Sequence, residues 1–182
     1  MAIEKVKTYL KSFNFDDRIL EFDASSATVE LAAQALNCKA EEIAKTLSFD
    51  VFGRTVLIVM AGDRKVDNSK FKAQFQTKAK MLSFDEVEPR TGHAVGGVCP
   101  FAVNKEVEIY LDQSLKSHNH IFPACGSSNS AIKLTIVELE KASNSLGWID
   151  VTKDYWSARK ILIKIKNLQV FTCRFCLLFC WN

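Results

Sequence analysis

The chain has 182 residues, enough for one domain and a short appendage. With 48% hydrophobic and 25% charged residues it has the ordinary globular balance, so a sizeable core can be buried. The net charge of +3 gives no general case for nucleic-acid binding: Arg159, Lys160, Lys164, Lys166 and Arg174 all follow Tyr155 without an acidic residue, which leaves about −2 for the rest. Any RNA contact must then come from a local patch.

The opening MAIEKVKTYLKSF sets Glu4, Lys5 and Lys7 where a secretion signal needs an apolar run, so secretion is not expected. Cys38, Cys99 and Cys125 are scattered rather than spaced as a disulfide framework, which fits a reducing, cytoplasmic setting. Ile3, Val6, Leu10 and Phe13 recur at helical spacing and predict an amphipathic helix. Arg18 to Phe22 reads as a short strand. Thr28 is a suitable N-cap for a second helix, with Glu30 in its first turn and Leu31, Ala32, Ala35 and Leu36 as its buried face. Ala40 to Ala44 reads as a further helical turn or two.

Lys45 then opens a hairpin: Thr46 to Phe52 alternates, Gly53-Arg54 turns the chain, and Thr55 to Met60 is a buried strand. Asp67-Asn68-Ser69 offers caps for a short helix from Lys70 to Phe75, and Asp85 to Val87 reads as a helical turn. Further strands are predicted at Glu108 to Asp112, Ile121 to Ala124, Ala131 to Leu134 and Trp148 to Val151, with a helix from Ile136 to Ala142. The mixture predicts an α/β (α+β) domain with a mixed, largely antiparallel sheet surrounded by helices.

The end of the chain reads differently. Residues 156–182 form an atypical basic and apolar tail beyond a domain at 1–155. Its most apolar part, Leu168 to Trp181, contains Arg174 and is shorter than the roughly 20 residues that cross a bilayer, so no membrane association is expected. Cys173, Cys176 and Cys180 supply three thiolates without an adjacent fourth ligand, and no metal site is expected. An altered reading frame or splice choice is one origin for such a tail.

Three features bear on chemistry. Lys45 reads either as a charge favoured at a helix C-terminus or as a cleft lysine holding a phosphate or a developing oxyanion. In Thr91-Gly92-His93-Ala94-Val95-Gly96-Gly97-Val98-Cys99-Pro100-Phe101, paired glycines let main-chain N–H groups approach a carbonyl oxygen; a tight turn is the alternative. The small polar run Pro123 to Ser130 either lines a pocket or turns the chain. His93 and Cys99, six residues apart, offer a nucleophile–base pair whose hydrogen-bond reach the spacing does not establish. Between Gly62 and Lys80, Arg64, Lys65, Lys70, Lys72, Lys78 and Lys80 outnumber Asp63 and Asp67, which suits either a phosphate backbone or plain solvent.

In order, TVELAA from Thr28, IAKTL from Ile43, VMAGD from Val59, the Gly96–Pro100 loop, Asp112, Cys125 to Asn129 and GWIDV from Gly147 resemble the YbaK/EbsC family. That family includes free-standing prolyl-tRNA editing proteins and the editing domain inserted in bacterial prolyl-tRNA synthetases. The resemblance runs to about Tyr155, and the tail departs from it. It implies a trans-acting deacylase that hydrolyses the ester of a tRNA mischarged with a small amino acid, alanine or cysteine, on a proline tRNA. Lys45 and the amides of Gly97, Val98 and Cys99 would be catalytic. Thr28, Gly96, Pro100, Asp112, Gly126, Ser127 and Asn129 would bind substrate, and Arg64, Lys65, Lys70 and Lys72 would contact tRNA. The implied partners are aminoacylated tRNA and an aminoacyl-tRNA synthetase, with no metal or organic cofactor. Two other readings stand beside it: a non-catalytic module binding tRNA or a synthetase, and an inactive form impaired by its tail.

Overall fold

The alternation around Lys45 builds the centre of the molecule in the computed structural model, which describes residues 2–23 and 27–154. Strand β2 (Ile43–Val51) pairs antiparallel with β3 (Arg54–Ala61) from Ala44↔Ala61 to Val51↔Arg54. The turn is Phe52-Gly53, one residue earlier than expected, with φ of 53° and 84°. Two consecutive positive φ values define the tight hairpin turn that matches strand twist, and glycine suits the second of them. The expected helical turn at Ala40 to Ala44 is shorter: Ala40–Glu42 forms a 3-10 turn, and Ile43 already belongs to β2.

Around this hairpin lie β5 (Glu108–Asp112), β6 (His120–Pro123), β8 (Leu134–Thr135) and β9 (Gly147–Ile149), giving a six-stranded sheet of order β8-β6-β2-β3-β5-β9. Pairings β2–β6, β3–β5 and β5–β9 are parallel, while β2–β3 and β6–β8 are antiparallel. Two small antiparallel ladders complete it, β1 (Ile19–Glu21) with β7 (Ser130–Ile132), and β4 (Arg64–Val66) with β10 (Thr152–Asp154). The single strand expected at Ala131 to Leu134 is thus divided between β7 and β8.

Helices cover both faces, as the expected mixed α+β architecture requires. On one face, Val6 and Leu10 of α1 (Ala2–Lys11) and Leu139 and Ala142 of α5 (Ile136–Ser143) join Leu57, Val59 and Leu111 in the larger core. On the other, Phe71 and Phe75 of α3 (Asn68–Phe75) pack with Phe49, Val56, Ile58 and Met60. Asp67 caps α3 by accepting from the amides of Ser69 and Lys70. Fully burying each large side chain contributes about 1.5–3 kcal/mol, so these two layers dominate the fold's stability.

Two elements frame the space beside β2. Thr28 caps α2 (Val29–Leu36), its hydroxyl accepting from the Leu31 amide at 3.2 Å. The buried face of α2 is Ala32 and Ala33, packed with Ile43; Leu31 and Ala35 face solvent, because the helix crosses the sheet edge with a narrow, small-residue stripe. Helix α4 (Phe84–Thr91) extends well beyond the single turn expected at Asp85 to Val87, despite Pro89. A reciprocal Ser83–Glu86 cap starts it, and Gly92 at φ 87° ends it with its N–H on the Glu88 carbonyl at 2.9 Å. The predicted tail, 156–182, lies outside the described residues.

Candidate active site

Strands β2 and β6 stay paired for only Ile43↔Phe122 and Ala44↔Pro123 before they part. The parting leaves a cavity of about 500 Å³ along the outer edge of β2, closed by α2 and the start of α4. Lys45, Thr46, Thr28, Gly96, Val98 and Ser130 all line it. Lys45 and the glycine loop therefore share one space. The rest of the wall is largely apolar, supplied by residues such as Val29, Ala32, Leu47 and Phe122.

Lys45 is half-buried, and its Nζ donates to the main-chain carbonyls of Gly62, at 2.9 Å, and of Arg64. An ammonium has three N–H donors, so two hold it in place and one is left for the cavity. Burial pushes its pKa below the usual lysine value, against the attraction of Asp63 and Glu30. Lys45 is not at a helix C-terminus; it sits inside a strand.

The glycine loop is a turn as well as a wall. The Gly97 amide donates to the Ala94 carbonyl at 3.0 Å across Gly96, whose φ is 91°. A positive φ at the third position of such a turn calls for glycine. That hydrogen bond commits one of the three amides expected to receive a carbonyl oxygen. Cys99 is wholly buried and does not line the cavity, whereas Val98 does. Pro100 is buried behind it.

Several expected site residues instead stitch the fold together. Asp112 is fully buried and away from the cavity. Its carboxylate accepts from the Ser114 amide (2.9 Å), the Val151 amide (2.9 Å) and the Thr152 hydroxyl (2.7 Å), bonds that tie the end of β5 to the segment after β9. Gly126, at φ 83°, seats helix α1: a Cβ there would meet Val6 Cγ2 at 2.9 Å. Ser127 Oγ lies 2.7 Å from Ser130 Oγ, and Asn129 exchanges hydrogen bonds with the main chain of Phe22 at 2.8 Å. None of Gly126, Ser127 and Asn129 lines the cavity, although their neighbour Ser130 does.

The reach that the spacing left open between Cys99 and His93 is visible in the structure. Cys99 Sγ lies 3.6 Å from His93 Nε2, but both are buried and the ring nitrogen also meets the Phe101 carbonyl at 2.8 Å. Burial pushes the Cys99 thiol up to about 12 and the His93 ring below its usual value, the opposite of an activated nucleophile. Among the described residues, no group of three or more His, Cys, Asp and Glu is placed to hold a metal ion, and no helix is long and apolar enough to cross a membrane.

The basic stretch is more neutral in space than in sequence. Arg64 pairs with Asp154 and borders Asp63, and Lys70 pairs with Asp150 at 2.8 Å, so the β10 region brings acids onto this face. Lys72 is exposed and Lys65 is half-buried in β4. Because the Arg64 carbonyl holds Lys45, β4 starts at the cavity's edge.

Thr46 and the outward-facing Met81 and Phe84 line the cavity without having been expected there; Ser130, at the end of the polar run read as a pocket wall or a turn, and Val95 of the glycine loop line it too. Alternation in the hairpin was the available signal for Thr46: it is the first residue after Lys45 with the opposite orientation.

The chain is similar to known proteins in both sequence and fold. Residues 23–142 match the aminoacyl-tRNA editing domain. YwhH of Bacillus subtilis (strain 168), an uncharacterized protein, is 49% identical over 156 residues, covering 85% of this chain and 99% of YwhH. A proline–tRNA ligase of the same organism is 30% identical over 91 residues, 50% of this chain but 16% of the ligase. Among solved structures, a candidate trans-editing enzyme for prolyl tRNA synthetase superposes with a TM-score of 0.75 at 25% identity, over 84% of this chain and 97% of that one. The chain belongs to the aminoacyl-tRNA editing domain family.

Proposed function

We propose that the protein is a trans-acting aminoacyl-tRNA deacylase that removes a small amino acid, alanine or cysteine, from a mischarged tRNA such as proline tRNA. The observation that carries the reading is the shared cavity, which a held ammonium and a glycine loop both line where β2 and β6 part. The editing domain at 23–142 and the likeness to a candidate trans-editing enzyme support the same chemistry.

In this reading the aminoacylated 3′ end enters between α2 and α4. Water adds to the ester carbonyl carbon, the bond from that carbon to the ribose oxygen breaks, and the ribose oxygen leaves with a proton. The products are the free amino acid and a tRNA with its terminal hydroxyl restored. The remaining Lys45 donor either anchors the ribose–phosphate end or offsets the developing negative charge, and the Val98 amide faces the carbonyl oxygen. Positioning supplies much of the acceleration, since the ester is already activated. Where the amino acid is cysteine, its own thiol can replace water. Thr28 and Gly96 border the bound acyl group, and the apolar wall limits its size; one methylene changes such discrimination by only about 1–3 kcal/mol. Phosphates approach over the face that carries Arg64, Lys65, Lys70 and Lys72, where Arg64 is also paired with Asp154 and Lys70 with Asp150. The activity is assigned to residues 1–155 in a cytoplasmic setting, with a synthetase as a further partner.

The test is release of amino acid from a panel of mischarged tRNAs by the purified protein. Turnover on alanyl- or cysteinyl-tRNA is expected. Saturable, salt-sensitive binding with no turnover anywhere on the panel would instead establish the non-catalytic binding module.

A further inference from the structure

Thr46 sits on an unfilled rung of the central sheet. In the β2–β3 ladder Val51↔Arg54 closes the hairpin, so odd-numbered β2 residues direct their N–H and C=O toward β3 and even-numbered ones direct theirs to the outer edge. The neighbouring outer rungs are filled. Ala44 lies in register with Pro123 of β6, the Ser48 carbonyl accepts from the Leu82 amide at 3.1 Å, and the Asp50 amide donates to the Lys80 carbonyl at 2.8 Å. Between them, β6 has already diverged and the chain after Leu82 has turned into α4, so neither reaches Thr46. Among the described residues, nothing pairs with its outward N–H and C=O. Its Oγ1 is likewise buried without a hydrogen-bond partner. Thr46 lines the cavity beside Lys45 and Val98.

The buried Oγ1, left unpaired, costs about 1–3 kcal/mol, and with an outward N–H and C=O also unpaired on the same cavity-lining residue, Thr46 calls for a partner. The spacing of the N–H and C=O names a ligand. In an antiparallel ladder, a residue with outward N–H and C=O exchanges both hydrogen bonds with one opposing residue, through that residue's own C=O and N–H. An aminoacyl ester carries the same pair across its α-carbon: a carbonyl oxygen and an ammonium.

We infer that the aminoacyl group docks as a one-residue strand on Thr46. The Thr46 N–H donates to the ester carbonyl oxygen, and the substrate's α-ammonium donates to the Thr46 carbonyl. The inference rests on the deacylase reading and deepens it. It makes Thr46 an oxyanion donor beside Val98, in place of the committed Gly97 amide. It also separates two tasks: the main-chain rung holds any α-amino acid alike, and the apolar wall selects the side chain.

The probe is 3′-deoxy-3′-(L-alanylamino)adenosine, whose amide is not readily hydrolysed, compared with its 3′-propionylamino counterpart, which lacks only the α-amine. NMR on the full chain follows each amide. The rung predicts that the alanyl probe slows hydrogen exchange of the Thr46 amide at least about tenfold and binds about tenfold or more tightly than the propionyl form, the range for a hydrogen bond to a charged group. A parallel assay compares deacylation of alanyl- and propionyl-tRNA, each normalised to its uncatalysed hydrolysis, and a loss of about tenfold or more is expected for propionyl-tRNA. Binding that perturbs Lys45 or Gly96 while Thr46 exchange is unchanged overturns the rung and leaves the deacylase reading standing; so do equal normalised rates on the two tRNAs. Absence of both probe binding and deacylation overturns the two together.

Discussion

The ammonium of Lys45 donates to the carbonyl of Gly62 at 2.9 Å. This bond ties the end of β3 to the cavity, and it depends on Gly62 having no side chain. A Cβ there would lie 2.2 Å from the Ala40 carbonyl oxygen and 2.7 Å from Val29 Cγ1. The turn after β3 is therefore pressed against α2 and the 3-10 turn, which sets where the Lys45 acceptor can be. Gly62→Ala is expected to cost about 1–3 kcal/mol through overpacking against main chain and to lower deacylation beyond what the stability loss explains. Thermal unfolding and single-turnover rates on the same preparation check both halves.

The half-buried position of Lys45 also sets a pH limit. Burial lowers its folded pKa below the usual 10.5, so the folded state loses this proton at lower pH than the unfolded chain does. The burial penalty on stability is present in full at neutral pH and is relieved as pH rises from the folded pKa toward 10.5. Activity is expected to run the other way, because the proposed reaction uses the ammonium. The enzyme-dependent rate, after subtraction of spontaneous ester hydrolysis, is expected to fall on the alkaline side before pH 10.5. A rate that stays flat through that value contradicts a role for the charged form.

Gly97 is predicted to matter for packing of two loops. Its added Cβ would lie 2.8 Å from Gly126 C and from the Ser127 amide nitrogen, both main-chain atoms that cannot swing away. Gly97→Ala should destabilise by about 1–3 kcal/mol, lowering Tm by several degrees for a chain of this size. Gly96→Ala meets the side-chain carbons of Ala27 at 3.2 Å and Ser128 at 3.3 Å, with the nearest main-chain atom at 3.9 Å, but must hold a φ of 91°. It is expected to cost about 1–2 kcal/mol and to disturb the cavity wall directly. Comparing Tm with KM in both variants separates the loop's support from its contact.

Asp112 gives the opposite pattern. Asp112→Ala strands the buried donors of Val151 and Thr152 and the half-buried amide of Ser114, and should cost about 2–4 kcal/mol. KM measured well below the lowered Tm should remain close to that of the parent. A large rise in KM with little change in Tm would return Asp112 to the substrate site.

Cys99 and Cys125 are expected to resist alkylation in the folded protein, being wholly buried, with burial raising both thiol pKa values. Iodoacetamide labelling followed by peptide mass mapping should show modification at the half-buried Cys38 well before either of them. Rapid labelling of Cys99 alongside loss of activity would revive a thiol nucleophile.

Local signals in the sequence carried most of the fold. Ile3, Val6 and Leu10 mark α1 by their spacing, Thr28 and Asp67 announce two helices as caps, and alternation finds the β2–β3 hairpin. What stayed hidden depends on partners distant along the chain. Strand β4 has only three residues and no alternation, and it exists because β10 pairs with it. The function of Asp112 was hidden for the same reason, since its acceptors' donors Val151 and Thr152 arrive from the far end of the domain. The neutralised basic face needed Asp150 and Asp154 in place. Lys45 and Gly96 could be singled out by type and order, but the vacancy at Thr46 follows from where β6 leaves the sheet, which no window around Thr46 contains.

The proposed deacylation takes place in the cavity lined by Lys45. Single-turnover deacylation of alanyl- and cysteinyl-tRNA by the parent protein and by Lys45→Ala, with Tm recorded for each, tests it most directly. The expected result is release by the parent and a loss of about 100-fold or more in the variant, roughly 3 kcal/mol of transition-state stabilisation, while the variant still unfolds cooperatively. Undiminished release by a folded Lys45→Ala protein would contradict it.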